Sequence, residues 1–157
     1  MRMLMKSLMV ATCLAFVGSS VADEHADAFV GTWRLNVARS IYKPGPPPKS
    51  LTRTYTKTAN GLSLQYKSVQ PDGKEITGSK VLKFDGKDYP ADAPDYDTES
   101  TTKVDAFRLR IIERRRGREV GTITLVVSRD RQVMTLNAKG IDASGSAFEK
   151  VAVYDRE

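Results

Sequence analysis

From residue 50 onward the chain is cut at short, regular intervals by turn-forming clusters, and this punctuation limits what it can fold into. Asn60-Gly61, Pro71-Asp72-Gly73, Asp85-Gly86, Arg115-Arg116-Gly117, Arg129-Asp130 and Asp142-Ala143-Ser144-Gly145 supply residues that tolerate turn dihedrals. Between them lie segments rich in Thr, Val, Ile, Leu and Tyr, the composition of half-buried strands. Strands are predicted over 29–36, 51–58, 62–69, 76–84, 96–104, 107–114, 120–128, 132–138 and 148–154. Residues 37–42 have room for one helical turn, and no longer apolar period of 3.6 residues interrupts the series. About nine strands joined by hairpins, with no strand–helix–strand unit, predict an all-β fold: one up-and-down antiparallel barrel of about 8–10 strands. Closure into a barrel removes the exposed edges that an open sheet would present.

Alternation assigns part of the faces. Phe107, Leu109 and Ile111 share one side of their strand, opposite Arg108, Arg110 and Arg114. Ile123, Leu125 and Val127 oppose Thr122 and Thr124, and Phe148, Ala152 and Tyr154 oppose Val151 and Val153. Phe29 and Leu35 share the face of Trp33, so all three are expected to point inward. Pro44-Gly45-Pro46-Pro47-Pro48 interrupts this pattern with a stiff extended connector, because proline lacks an N–H and fixes φ.

The N-terminus reads as an export signal over 1–22. Arg2 and Lys6 precede the apolar stretch 8–17, and Ser20-Val21-Ala22 is a small-x-small cleavage site. The stretch is too short to span a bilayer, and no transmembrane segment is expected. A lipoprotein signal using Cys13 is the rival reading, but the apolar run continues past that residue. Cleavage leaves 135 of the 157 residues: a short polar leader over 23–28 and one domain over 29–157, destined for the periplasm or secretion. Arg2 and Lys6 leave with the signal, so the net charge falls from +6 to +4. The only Cys leaves too, which removes disulfides and thiolate chemistry from the mature chain.

The composition excludes much chemistry. The single histidine, His25, sits in the polar leader, so no catalytic histidine and no Ser-His-Asp arrangement is expected. Cys and His metal sites are closed off, and no cofactor is implied. Asp88, Asp92, Asp95, Asp97 and Glu99 cluster beside an irregular loop, but their spacing matches no Ca²⁺ loop, so a solvated acidic loop is expected. Arg114, Arg115, Arg116 and Arg118 form the strongest charge run, on a hairpin, as a candidate anion patch. A net charge of +4 with few clustered aromatics argues against nucleic acid. Tyr42, Tyr55, Tyr66, Tyr89 and Tyr96 are candidates to line a pocket or simply to fill a barrel, with Tyr55, Tyr66 and Tyr96 the named ligand-site candidates.

Gly31-Thr32-Trp33 opening the first strand resembles the start of the lipocalins and their calycin relatives. Residues 31–40, 44–50, Asp85-Gly86-Lys87-Asp88-Tyr89-Pro90 and the closing Val151-Ala152-Val153-Tyr154-Asp155-Arg156 are similar to a largely uncharacterised group of exported bacterial lipocalin-like proteins. The resemblance implies a barrel whose closed end is plugged by Trp33, at Gly31-x-Trp33, under a basic side chain, Arg156 or Lys150. It also implies a ligand site inside the barrel, toward the open end. The expected function is binding or carriage of a small apolar or amphipathic molecule. The alternative is an envelope protein with a packed barrel that binds anionic lipid or polysaccharide through the arginine turn. Neither reading calls for an enzyme, and the sequence leaves oligomeric state open.

Overall fold

The computed structural model describes residues 28–157; the export signal, Cys13 and His25 lie outside the described residues. The strands are β1 (Gly31–Leu35), β2 (Ile41–Lys43), β3 (Ser50–Thr58), β4 (Gly61–Val69), β5 (Glu75–Lys83), β6 (Tyr89–Pro90), β7 (Thr98–Asp105), β8 (Arg108–Arg115), β9 (Arg118–Val127), β10 (Val133–Ile141) and β11 (Ala147–Arg156). A 3₁₀ turn at Val37–Arg39 follows β1, and the Asn36 side chain caps it by accepting from the Arg39 N–H. The expected strands appear as β1, β3–β5 and β7–β11. The short β2 and β6 are additional, because both exist only through pairing with distant strands. Tyr89-Pro90 forms a two-residue rung on β7, at an edge where the missing proline N–H does no harm.

Every pairing is antiparallel, and the hydrogen-bonded path runs β5-β4-β3-β1-β11-β10-β9-β8-β7-β6, with β2 laid against β11. The first strand therefore joins the two halves of the sheet, pairing with β3 on one side and β11 on the other. The sheet curls until β5 faces β7, but no continuous ladder joins these two strands. The seam is drawn together by a single Asp85–Thr102 bridge, the Gly86 N–H donating to the Thr101 carbonyl at 3.0 Å, and the Lys80–Glu99 ion pair at 2.6 Å. Closure here is by side chains as much as by backbone. This differs from the full ladder closure expected from the sequence.

The interior follows the alternation. Trp33, Phe29 and Leu35 are buried, as are Leu109 and Ile111 of β8, Leu125 and Val127 of β9, Met134 and Leu136 of β10, and Ala152 and Tyr154 of β11. Val153, on the opposite face of β11, is buried as well. Asn36 donates its N–H to the Val153 carbonyl, and the Ser40 Oγ accepts the Val153 N–H, so the segment around the 3₁₀ turn covers that outer face.

Candidate ligand-binding site

The barrel interior holds a cavity of about 860 Å³. Its apolar walls include Leu51, Leu64, Leu82, Ile111, Leu125 and Leu136. The five tyrosines singled out from the sequence, Tyr42, Tyr55, Tyr66, Tyr89 and Tyr96, all line it, and Tyr154 joins them. Tyr66 lies flat on β5 because the facing residue is Gly78; a Cβ there would sit 2.3 Å from the phenol oxygen. Amphipathic rings of this kind give a cavity broad contact area with a few hydroxyls to orient a guest.

One polar cluster lies on the β3 wall. Leu51, Arg53 and Tyr55 share the inward face of β3, and all three line the cavity. Arg53 Nη1 donates to the Tyr55 hydroxyl at 3.1 Å, and the guanidinium stands 5.5 Å from the centre of the Tyr154 ring. Among the described residues the buried Arg53 Nε has no hydrogen-bond partner. Burial opposes the charge on Arg53; the negative charge that Tyr154, Tyr55 and Tyr42 would carry if ionised raises its pKa, but as un-ionised phenols they leave it without a counter-charge. Burial also pushes the Tyr42 and Tyr154 phenols up, so both are neutral at physiological pH.

A second cluster lies across the cavity on β7 and β8. Glu99 and Glu113 are each only 8 % exposed. Glu99 pairs with Lys80, and the Tyr96 hydroxyl donates to the same Glu99 oxygen at 3.4 Å. Burial pushes Tyr96 up, and Glu99 and Glu113 add to the shift. Among the described residues nothing donates a hydrogen bond to the Glu113 carboxylate. Burial raises its pKa above the usual glutamate range; Lys80 and Lys150 oppose the shift, while Glu99 and Asp95 add to it.

Trp33 is 0 % exposed and donates its indole N–H to the Phe29 carbonyl at 2.8 Å. Arg156, directly opposite Trp33 in the β1–β11 register, stacks 4.2 Å above the ring. Its guanidinium donates to the carbonyls of Val30 (2.7 Å), Ala28 (2.8 Å) and Arg131. Gly31 makes this possible: its φ is +130°, and a Cβ there would lie 2.5 Å from the Arg156 Nη1. Lys150, the other basic candidate, stands near the Tyr42 and Phe148 rings, at the cavity wall.

The arginine run is divided in two. Arg114 bonds Asp88 and the Ser100 hydroxyl, and Arg115 donates to the Asp95 carbonyl, so both secure the 88–97 segment that roofs the cavity. Arg116 and Arg118 point outward from the turn, where Arg116 (φ +52°) and Gly117 (φ +74°) form a left-handed pair. The acidic loop is spent on its own partners: Asp97 accepts the Arg116 N–H, and Asp95 accepts the Ala143 N–H.

The sequence reading missed Arg53, Tyr154, Glu99 and Glu113 as cavity residues. Two carried a signal. Arg53 falls between Leu51 and Tyr55 on one face, and Glu113 continues the face of Leu109 and Ile111. A charge on an apolar face marks a polar interior.

No protein-family model and no curated protein sequence matches the chain. Solved structures do. The zebrafish ileal bile acid-binding protein complexed with cholic acid aligns with a TM-score of 0.50 at 12% identity, covering 83% of this chain and 99% of that one. As-p18, an extracellular fatty acid binding protein, aligns with a TM-score of 0.51 at 12% identity, covering 85% and 99%. The wild-type fluorescent protein UnaG aligns with a TM-score of 0.51 at 14% identity, covering 84% and 99%. At such identities the likeness establishes the fold: an all-β, calycin-like antiparallel barrel.

Proposed function

We propose that this protein binds and carries a small apolar or amphipathic molecule inside its barrel. The cavity of about 860 Å³ carries the reading, because a barrel packed solid by its own side chains would leave no such space. Pockets of about 300–1,000 Å³ are the size that accommodates small ligands. A guest burying about 300 Å² of apolar surface gains about 7 kcal/mol before losses of motional freedom. An exposed charge pair contributes about 1 kcal/mol at most and is screened by salt. Burial therefore outweighs anything the two outward arginines of the turn contribute. The fold agrees with this reading, since the aligned structures include a bile acid-binding and a fatty acid binding protein.

Titration with an environment-sensitive apolar dye tests it. Binding is expected, with affinity falling little between low and moderate salt. It should also survive serine at Arg116 and Arg118, which spares the two arginines that hold the roof. If no apolar probe binds, while anionic lipid or polysaccharide does and is lost with those arginines, the protein acts through its surface. The proposal includes export: removal of residues 1–22, leaving a thiol-free chain that starts at Asp23. Intact mass of protein recovered from the cell envelope checks this, and a lipid-modified Cys13 would overturn it.

A further inference from the structure

Among the described residues Arg53 is a buried cation with no counter-ion. Among the described residues it forms no ion pair, and the titratable groups acting on it are the phenols of Tyr154, Tyr55 and Tyr42. Neutral phenols orient dipoles toward a guanidinium but do not neutralise it. An unpaired charge in a low-dielectric interior is unfavourable, and an apolar residue of similar length would fill the same wall without desolvation. The arrangement is also incomplete as a hydrogen-bond set. Nη1 is occupied by Tyr55, whereas Nε, one tooth of the planar fork, has no acceptor. A fork of this kind matches the two oxygens of a carboxylate.

We propose that Arg53, with the hydroxyls of Tyr42, Tyr55 and Tyr154, forms an internal subsite for the carboxylate of an amphipathic monocarboxylic ligand whose apolar body fills the rest of the cavity. This rests on the carrier reading above and names its ligand class. The carboxylate supplies the missing counter-charge and an acceptor for Nε, and the phenol hydroxyls donate to it. Glu99 and Glu113 line the wall formed by β7 and β8. Glu99 on that wall already holds Lys80 at 2.6 Å, so this pair offers an incoming anion no free cation, and the acid group is placed against β3.

Calorimetric titration at neutral pH with decanoate, 1-decanol and decyl sulfate separates the cases, using the wild type, Arg53→Met and Arg53→Lys. The wild type is expected to bind decanoate about tenfold or more tighter than decanol, with decyl sulfate weaker than decanoate. Arg53→Met is expected to lose the preference and bind acid and alcohol alike, while Arg53→Lys keeps part of it. Without ligand, Arg53→Met is expected to melt at or above the wild-type temperature, a change that the loss of a merely structural arginine would reverse. Equal binding of acid and alcohol by the wild type, or a preference retained in Arg53→Met, overturns the subsite and leaves the carrier reading standing. Tighter binding of decyl sulfate assigns the site to tetrahedral anions and overturns the carboxylate. If none of the three probes binds, the carrier reading falls and the subsite with it. Should Arg53→Met not fold, the decanoate-to-decanol ratio of the wild type and of Arg53→Lys decides.

Discussion

Trp33 stands between two arginines: in register, Arg156 of β11 is its neighbour on one side and Arg53 of β3 on the other. Arg156 is provided for. It stacks on the indole and donates to three carbonyls, so its charge sits in a complete set of acceptors. Arg53 faces the cavity with the phenol oxygens of Tyr55 and Tyr154 as acceptors and a buried Nε left over. The same side chain on the two strands that flank β1 is thus completed on one side of Trp33 and left chemically unfinished on the other. A satisfied buried charge holds structure together, whereas an unsatisfied one is tolerated where a ligand completes it.

The largest effect that can break this comparison lies at Trp33. Trp33→Ala is expected to lower stability by about 3–5 kcal/mol, measured by denaturant unfolding, because the ring is fully buried and carries Arg156 stacked above it. A variant of wild-type stability that had lost ligand binding would instead place Trp33 in the site.

Next come the arginines themselves, expected to differ in sign. Arg156→Met strips the donors from three carbonyls and removes the cation–π stack, for a loss of about 2–3 kcal/mol. Arg53→Met removes an uncompensated charge and is expected to leave the ligand-free protein unchanged or stabilised by about 1 kcal/mol. Equal losses at both positions would erase the distinction.

Glu113 offers a smaller effect that depends on pH. Its folded pKa is raised, chiefly by burial, so the ionised form is disfavoured in the native state. The penalty is absent below the unfolded glutamate value of about 4.3 and grows as pH rises through the elevated native value. Glu113→Gln is therefore expected to stabilise the protein at neutral pH, with the gain vanishing toward pH ~4. Thermal melts of both proteins across that range check it, and a gain independent of pH would contradict the assignment.

The smallest effect is a control on the outer rim. Arg116 holds a left-handed conformation that asparagine adopts more easily, so Arg116→Asn is expected to add about 0.5 kcal/mol without altering dye binding. A change in dye affinity would tie the turn to the site.

The fold was legible because its signals are local. Turn pairs such as Asn60-Gly61 and alternation such as Leu109-x-Ile111 need no knowledge of distant residues. β2 and β6 were not legible, because a rung like Tyr89↔Glu99 arises only once β7 is in place. The site was legible in part. The tyrosines could be named as pocket candidates, since a ring with a hydroxyl suits the lining of an amphipathic cavity. Arg53 was passed over although it lies between Leu51 and Tyr55, because a charge on that face reads as solvent-facing until the opposite, all-Thr face is known to be the outer one. The volume of the cavity depends on how far the sheet curls before β5 meets β7, and no short motif encodes that distance.

The central claim is that the guest lies inside the barrel, and amide chemical-shift mapping during titration with decanoate tests it most directly. The account predicts that the perturbed residues are those of the inward faces, Arg53, Tyr55, Leu64, Tyr66 and Leu136, while Arg108, Arg110 and Thr124 on the outer faces of β8 and β9 stay still. Shifts confined to the outer faces or to the Arg116-Gly117 turn, with the interior unmoved at saturation, would contradict it.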